Sequence, residues 1–162
     1  MGILNLTPDS FSDGGTLGTL DLAMKRVENM ISDGADIIDL GGESTRPGAE
    51  KIPLEEEWRR VEEVLTKILK LKIPVSIDTM KPEIMIRATE MGVDIINDVS
   101  GFRSKEALDF VKEMKKTRIG FCIMHMQGDP QTMQDSPRYG DVVSEVEFFF
   151  QGKMNEFRKY GI

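Results

Sequence analysis

Five short apolar runs, separated by segments of helical length, constrain the fold of this chain more than any other feature. Each run is bounded by turn residues. Its hydrophobicity is continuous rather than alternating, which is typical of strands buried on both faces of a parallel sheet. We therefore expect five buried strands. The runs are "MGILNL" (1–6), "DIIDLGG" (36–42), "PVSIDT" (74–79), "DIINDVSG" (94–101) and "IGFCIMHM" (119–126).

An amphipathic segment of helical length follows each apolar run. Pro53 and the three acids of 55–57 suit the first turn of a helix, where negative charge faces the positive end of the helix dipole. We interpret these acids as solvated. The repeated βα order predicts a parallel sheet with right-handed crossovers. The predicted helices are 19–33, 53–71, 82–91, 104–116 and 141–160.

Two architectures fit a repeated βα unit, namely a doubly wound open sheet and a (β/α)8 barrel. No Gly-x-Gly-x-x-Gly turn follows the first strand, whereas polar residues end every strand, where barrels assemble their active sites. We therefore predict an α/β fold of the (β/α)8 or TIM barrel class. Residues 1–162 would supply five of its eight units and stop before the sixth strand. The polar strand-end residues are Asn5, Asp39, Asp78, Asn97, Asp98 and His125.

The composition limits which cellular compartment and which binding partners suit this chain. The chain has 162 residues and a net charge of −7, which argues against nucleic acid or an acidic membrane surface as a partner. No signal peptide or membrane span is predicted, because the longest apolar runs have the length of strands. The single cysteine, Cys122, excludes an internal disulfide and fits the reducing cytoplasm. We interpret it as a buried, inert thiol.

The loop after the first strand, "TPDSFSDGG", combines a strand-end amide with a glycine hinge. Asn5 offers one neutral oxygen, which suits Mg²⁺, an ion that takes few protein ligands and keeps waters and phosphate oxygens. The alternative is an Asn that caps a turn. Phe11, in a polar loop that ends in Gly14 and Gly15, suits a lid.

The loop after the second strand, "GGESTRPGAE" (41–50), holds a hydroxyl and a guanidinium side by side. Thr45 and Arg46 are good partners for a phosphate group. The alternative is a solvated loop with a surface arginine.

Polar residues that end the later strands have both functional and structural interpretations. Asp78 could bind a heterocycle or stabilise developing positive charge, or it could cap the following helix. Asn97 offers a donor and an acceptor to an amino-pyrimidinone edge, and we expect either Asn97 or its neighbour Asp98 to be structural. Met124 could line a slot for a flat ring or fill the core. His125, the only histidine, is more often structural at such a position.

Several of these segments, in this order and spacing, resemble the dihydropteroate synthase family. The resemblance covers the whole chain. It implies a pterin-binding TIM barrel of the folate pathway, the sulfonamide target, which uses Mg²⁺ to join 7,8-dihydropterin-6-ylmethyl diphosphate to 4-aminobenzoate and releases diphosphate. It also implies a homodimer. The segments are "MGILNLTPDSFSDGG", "IIDLGGESTRPGA", "SIDT", "IINDVSG" and "MHMQGDP".

The resemblance further implies roles for individual residues. Asn5 matches the Mg²⁺ ligand of the family. The residues that match positions with a catalytic role are Asp78, Arg46 and Asp13. The residues that match substrate-binding positions are Thr45, Asp78, Asn97, Val99, Met124, Phe11 and Pro47.

Part of the family pattern has no counterpart in residues 1–162. The Asp and Lys that complete pterin recognition, the Arg and His that hold diphosphate, and most dimer contacts lie in later segments of the family. We therefore expect the 162-residue chain alone to be inactive or nearly so. The alternatives are a pterin-binding methyltransferase domain and a non-catalytic barrel fragment. The "STRPG" loop and Asn5 argue against the methyltransferase, which has no use for a diphosphate.

Overall fold

The computed structural model describes residues 1–7, 16–44 and 50–162, with the side chains of 16–19 excepted. Over these ranges strands and helices alternate, as the sequence predicts. The strands are β1 (Gly2–Asn5), β2 (Ile38–Gly41), β3 (Val75–Asp78), β4 (Ile95–Asp98) and β5 (Gly120–Ile123). The α-helices are α1 (Thr16–Ser32), α2 (Leu54–Ile68), α3 (Pro82–Met91), α4 (Lys105–Glu113) and α5 (Val142–Tyr160). The 3₁₀ turns Leu69–Leu71 and Met114–Lys116 extend α2 and α4.

The five strands form one sheet in the order β1-β2-β3-β4-β5, and every neighbouring pair is parallel. A doubly wound sheet reverses its strand order at a switch point, whereas a barrel wall adds its strands in chain order. The sheet is therefore wound in one direction, like the wall of a barrel, and the doubly wound alternative is excluded.

One face of the sheet is packed against helices. Its side chains are buried, except for the half-buried Phe121, and they contact the apolar stripes of the helices in one continuous core. The strand residues of this face are Leu4, Ile38, Leu40, Val75, Ile77, Ile96 and Phe121. Because consecutive right-handed crossovers in one direction place every helix on the same side of a sheet, the second face receives no helix from these units.

The second face, which we term the inner face, is polar and partly open. Its residues are Ile3, Asn5, Asp39, Gly41, Ser76, Asp78, Ile95, Asn97, Gly120 and Cys122. The expectation of strands buried on both faces is wrong for β1 and β5, since Ile3 is 60% exposed and Cys122 is exposed. The prediction of a buried Cys122 thiol is wrong for the same reason. Partial desolvation and the charges of Asp39 and Asp78 raise the pKa of this thiol, which keeps it protonated.

Helix α2 approaches the end of β2 at Gly42. A Cβ at that position would lie 2.8 Å from Cγ1 of Val61 and 2.9 Å from the backbone oxygen of Glu57. Such distances are too short for real side chains, so this close approach requires glycine. In the part of the chain that the structure describes, no helix has the length and apolar character needed to cross a membrane.

Candidate functional site

Strand register brings the predicted site residues of β1, β3 and β4 into one row. Asn5 pairs with Gly41, Gly41 with Asp78, Asp78 with Asn97, and Asn97 with Cys122. Residues paired across a sheet project from the same face. The five residues therefore form a row across the carboxyl end of the inner face, which we term the strand-end row.

Gly41 leaves open space between the polar members of this row. A Cβ on Gly41 would lie 3.3 Å from Oδ1 of Asn5 and 3.7 Å from Oδ2 of Asp78. An amide oxygen and a carboxylate thus flank a space that any larger residue would fill. Our sequence reasoning did not single out Gly41, although a glycine among strand residues often marks a close approach to a ligand or to another backbone.

Asp39 lies one step below the row and orients Asn97. Nδ2 of Asn97 donates a hydrogen bond of 3.2 Å to Oδ2 of Asp39, which is 3% exposed. An ionised carboxylate can only accept hydrogen bonds, so the amide nitrogen faces Asp39 and the carbonyl oxygen faces away. The sequence marked Asp39 as a strand-end residue without showing this contact.

Three buried oxygens of the inner face have no hydrogen-bond partner among the described residues. They are Oδ1 of Asp39, Oγ of Ser76 and Oδ1 of Asp78. A buried polar atom without a partner carries a desolvation penalty, so native structures rarely keep several together. Their clustering on one polar face indicates a place for a ligand that donates hydrogen bonds.

Asp78 has an unusual protonation equilibrium. Burial, followed by the negative charges of Asp39, Asp98, Glu57 and Glu43, raises its pKa to about 7. A strongly shifted carboxyl group in a polar recess is typical of a functional site. The capping alternative for this residue is excluded, because it is Oγ1 of Thr79 that accepts from the backbone nitrogen of Lys81, at 3.1 Å.

Asp98 has a structural role in the turn that follows β4. Its carboxylate accepts from the backbone nitrogen of Ser100 at 2.7 Å, from Oγ of Ser100 at 2.8 Å, and from the backbone nitrogen of Phe102 at 2.9 Å. These bonds hold a tight turn in which Phe102 adopts a φ of 53°. Burial raises the pKa of Asp98, although the hydrogen bonds from Ser100 and Phe102 oppose this shift.

The other predicted pocket residues lie around the ends of β4 and β5. Val99 is buried and Met124 is half-buried, and their role in a pterin pocket stays a prediction. The His125 ring packs against the rings of Phe149 and Tyr139, with centroid distances of 4.9 and 5.9 Å. This packing supports a structural role for His125. The remaining predicted site residues, which fall outside the described part of the chain, are Phe11, Asp13, Thr45, Arg46 and Pro47.

A group of charged residues behind the row was missed by the sequence reasoning. Nζ of Lys81 donates to Oε2 of Glu43 at 2.7 Å and also to Oε2 of Glu57, and Oγ1 of Thr79 donates to Oε1 of Glu57 at 2.6 Å. We term Glu43, Glu57, Thr79 and Lys81 the Lys81 network. Burial alone would lower the pKa of Lys81, but the hydrogen bonds to both glutamates outweigh it and raise the pKa.

The interpretation of all three acids at 55–57 as solvated is wrong for Glu57. Glu57 is 1% exposed, whereas Glu55 is exposed and pairs with Arg87 on the surface. The residues differ because Glu57 faces β3, where Lys81 and Thr79 meet its carboxylate. A lysine three residues beyond the strand-end acid Asp78 was the only local signal of this pairing.

The strand-end row offers Mg²⁺ two oxygen-bearing side chains, those of Asn5 and Asp78. No group of three or more His, Cys, Asp or Glu side chains that could hold a metal ion occurs within residues 1–7, 16–44 and 50–162. The row does offer hard oxygen atoms of Asn5 and Asp78 beside the open space over Gly41. Mg²⁺ accepts one or two protein oxygens and completes its shell with waters and phosphate oxygens. The residues present therefore suit that ion together with a phosphate-bearing ligand.

Comparisons with known proteins relate the chain to one group of enzymes. The chain is 46% identical to the dihydropteroate synthase of Neisseria meningitidis serogroup B, over 100% of this chain and 57% of that protein. A crystal structure of Burkholderia cenocepacia dihydropteroate synthase complexed with 7,8-dihydropteroate is 45% identical, with a TM-score of 0.84 over 100% of this chain and 54% of that one. A Xanthomonas albilineans dihydropteroate synthase with 4-aminobenzoic acid is 44% identical, with a TM-score of 0.87, over 100% of this chain and 56% of that chain.

The chain spans a little over half the length of these relatives. The predicted TIM-barrel class is confirmed by the likeness to these barrel proteins, and so is the predicted resemblance to dihydropteroate synthase. The model of the family described as pterin binding enzyme matches residues 1–162. Because the family model matches residues 1 to 162 of this sequence, the chain belongs to the pterin binding enzymes.

Proposed function

We propose that this chain acts as part of a dihydropteroate synthase, which condenses 7,8-dihydropterin-6-ylmethyl diphosphate with 4-aminobenzoate and releases diphosphate. The observation that carries the proposal is the set of buried acceptor oxygens on the inner face, on Asp39, Ser76 and Asp78. A pterin presents ring N–H and amino donors along one edge. These donors match acceptor oxygens that have no partner among the described residues.

Asp78 and Asn97 are the proposed pterin-binding residues of the strand-end row. They are paired across β3 and β4, so a flat ring that lies on the inner face would meet both. Asp39 would keep the carbonyl oxygen of Asn97 directed towards the ring through the hydrogen bond to Nδ2. Val99 and Met124 are proposed to supply apolar contacts to the same ring.

The proposed chemistry is a displacement through a cation-like methylene carbon. The C–O bond to diphosphate breaks, the electron-rich pterin shares the positive charge, and the amine of 4-aminobenzoate supplies the electron pair of the new C–N bond. The nitrogen then releases one proton to water. An ionised Asp78 beside the ring would stabilise that positive charge. No covalent enzyme intermediate is required.

The loops after β1 and β2 are proposed to complete the site. Thr45 and Arg46 would bind the diphosphate and the aminobenzoate, and Asp13 would join the closed site. Phe11 and Pro47 would close over the aminobenzoate ring. Exclusion of water matters because water would otherwise capture the cation.

Mg²⁺ is the proposed cofactor, with Asn5 as its protein ligand. When bound, the ion would neutralise the departing diphosphate. The open space over Gly41, beside the amide oxygen of Asn5, supports this assignment. We further propose a cytoplasmic location and a homodimer, whose contacts would lie mostly in the parts of the relatives that this chain does not span. The net charge of −7 supports small-molecule partners rather than nucleic acid or membranes.

Calorimetric titration of the chain with a 6-hydroxymethyl-7,8-dihydropterin tests the proposal. The Asp78→Asn variant is expected to lose at least about tenfold in affinity, because a charge-assisted pair of hydrogen bonds disappears. The matched control is Asp109→Asn, an exposed acid of α4 that pairs with Lys112 on the surface and should bind as well as the wild type. No binding by the wild type, or equal binding by both variants, would overturn the proposal.

A second titration separates the synthase from the methyltransferase alternative. In the synthase, diphosphate binds only with Mg²⁺, and Asn5→Ala removes that binding while the affinity for the dihydropterin changes little. A methyltransferase domain has no use for diphosphate, so it would bind the dihydropterin alone. Mg²⁺-dependent diphosphate binding that persists in Asn5→Ala would contradict the assignment of Asn5.

A further inference from the structure

The apolar face of β3 ends on a buried polar residue. Val75 and Ile77 project from this face into the core beside the helices. Thr79 is the next position in the alternation, and it is 3% exposed. A valine of nearly the same shape would suit such a position, and a buried hydroxyl group carries a desolvation penalty unless it is bonded. The hydroxyl group at this position is therefore explained only by the bonds that it makes.

Thr79 joins three elements of the fold through its hydrogen bonds. Its Oγ1 donates to Oε1 of Glu57, in the first turn of α2, at 2.6 Å. The same oxygen accepts from the backbone nitrogen of Lys81, just before α3, at 3.1 Å. The backbone nitrogen of Thr79 donates to the backbone oxygen of Asn97, in β4, at 3.0 Å. The residue that follows Asp78 is therefore fixed to α2, to β4 and to the start of α3.

The carboxylate that receives the Thr79 hydroxyl is itself held in place. Glu57 is 1% exposed, and its other oxygen, Oε2, accepts from Nζ of Lys81. The distance of 2.6 Å between Thr79 and Glu57 lies in the range of charge-assisted bonds from a hydroxyl group to a carboxylate, which are stronger than neutral ones. Buried ion pairs add little net stability, because desolvation offsets most of their attraction. Fully bonded polar groups do specify one geometry, so a fixed position is what these contacts contribute.

The position that Thr79 fixes is that of the strand end beside the candidate site. Asp78 directly precedes Thr79 and pairs with Asn97 across β3 and β4. The bond from the Thr79 backbone nitrogen to Asn97 is the next one along this ladder. Neighbouring residues project to opposite faces, so Thr79 is bonded on the helix side while the Asp78 carboxylate stays on the inner face. Asp78 is thereby held without serving as an anchor itself, and its Oδ1 has no partner among the described residues.

The neighbouring strand end is built in the same way. Asn97 lies on the inner face, and the next residue, Asp98, is 0% exposed and accepts hydrogen bonds from Ser100 and Phe102. Two paired residues of the strand-end row are therefore each followed by a buried polar residue that projects to the opposite face and is anchored there. The same arrangement on adjacent strands indicates that both anchors serve the inner-face residues that precede them.

We propose that Thr79 is a positioning residue, which holds the carboxylate of Asp78 opposite the amide of Asn97 so that one flat ligand can bond to both. The proposal deepens the proposed function, on which the identity of the ligand as a pterin rests. The contacts of Thr79 with Glu57, Lys81 and Asn97 do not depend on that identity.

Replacement of Thr79 by valine tests this role, because valine keeps the shape and removes the hydroxyl group. Two quantities are measured for Thr79→Val, namely the affinity for 6-hydroxymethyl-7,8-dihydropterin, by calorimetry, and hydrogen exchange at the amide of residue 79. We expect the affinity to fall about tenfold, as for the loss of one good hydrogen bond, and the exchange to become faster. The amide keeps its partner on Asn97 in both proteins, so faster exchange reports a looser strand end.

Three further variants complete the experiment. Thr79→Ser keeps the hydroxyl group and should restore most of the affinity and of the protection. Thr89→Val is the matched control, because the half-buried Thr89 donates within α3, to the backbone oxygen of Met85 at 2.7 Å, and its affinity should stay within about twofold of the wild type. If Thr79→Val does not fold, Glu57→Gln tests the same link, since it removes the charge that strengthens the bond to Thr79 and should also weaken binding. Unchanged binding by Glu57→Gln would then overturn the proposal.

The outcomes separate this role from the proposed function. If the wild type binds the dihydropterin and Thr79→Val binds it equally well, or shows unchanged exchange at residue 79, the role of Thr79 is wrong and the proposed function stands. Equal losses in Thr79→Val and Thr79→Ser, or in Thr79→Val and Thr89→Val, would likewise overturn the role, since such losses would not depend on the hydroxyl group that contacts Glu57. If the wild type does not bind the dihydropterin, the proposed function fails, and the positioning role fails with it.

Discussion

Asp78 keeps its proton to a much higher pH than an ordinary carboxyl group does. Burial and the negative charges of neighbouring acids raise its pKa from the usual 3.8 to about 7. The ionised form is therefore disfavoured by the fold that surrounds it. Residues that destabilise their own fold in this way are typical of sites where a ligand later supplies the missing partners.

This shift predicts how stability depends on pH. Between pH 3.8 and about 7 the folded chain holds a proton on Asp78 that the unfolded chain has released. The free energy of unfolding should therefore fall as pH rises through this window. Asp78→Asn removes the effect and should stabilise the chain at pH 8 by on the order of 4 kcal/mol. Urea denaturation at pH 5 and pH 8 measures the difference, and an unchanged pH slope in the variant would refute it.

The raised pKa of the Asp78 carboxyl group also predicts how ligand affinity depends on pH. If the ionised form of Asp78 accepts the hydrogen bonds of a pterin, affinity should fall about tenfold for each pH unit below 7. Asp39→Asn removes a charge that raises the pKa of Asp78, so the break in the profile should move to lower pH. Titrations from pH 5 to 8 give both profiles. The ligand itself titrates in the same way with the wild type and with Asp39→Asn. A break in the affinity profile that stays at the same pH in both proteins would therefore come from the ligand and not from Asp78.

At the scale of elements, adjacent glycines at the end of β2 serve different purposes. Gly41 leaves space on the inner face between Asn5 and Asp78, whereas Gly42 allows α2 to approach the sheet on the opposite side. The alternation of a strand explains the difference, because neighbouring residues project to opposite faces. One glycine thus shapes the candidate site, and the other allows the packing behind it.

Matched glycine substitutions test the packing role. Gly42→Ala should destabilise the chain by about 1–3 kcal/mol, because the new Cβ would lie 2.8 Å from Cγ1 of Val61 and 2.9 Å from the backbone oxygen of Glu57. Gly152→Ala is the control, since no atom lies within 4 Å of its Cβ position in α5. That change should stabilise the chain by about 0.5–1 kcal/mol, because alanine favours helix. Thermal unfolding of both variants measures the contrast, and destabilisation by both would contradict this explanation.

At the scale of the whole molecule, the sheet is wound in one direction and its helices lie on one side. This arrangement exposes a polar inner face, where Ile3 and Cys122 are open to solvent. In a closed barrel such a face is enclosed by further strands. The site described above therefore lies on one wall, and its unpartnered acceptor oxygens come from the neighbouring strands β2 and β3.

A polypeptide of these 162 residues is predicted to turn over substrate far more slowly than its relatives. It spans 57% of the Neisseria meningitidis synthase, and the inner face is partly open in the residues described. Water could reach a cation-like intermediate on such a face. Diphosphate release with both substrates and Mg²⁺, measured beside a curated relative, checks this prediction. Comparable rates would mean that five βα units suffice.

Sequence by itself determined the order and approximate bounds of the elements. A continuous apolar run and a helical spacing of apolar residues both involve residues only a few positions apart. Both patterns can therefore be recognised in the sequence. The positions of Asn5, Asp78 and Asn97 at strand ends followed from the same pattern, and the resemblance to known motifs added the chemistry they suit.

Only the tertiary structure decided which of these residues meet, and on which face. The hydrogen bond between Asp39 and Asn97 joins positions 58 residues apart, and the one between Glu57 and Thr79 joins positions 22 residues apart. Such contacts depend on strand register and on the approach of a helix to a sheet, which no local pattern encodes. For this reason Glu57 looked like a solvated acid in the sequence and is a buried partner of Lys81 in the fold.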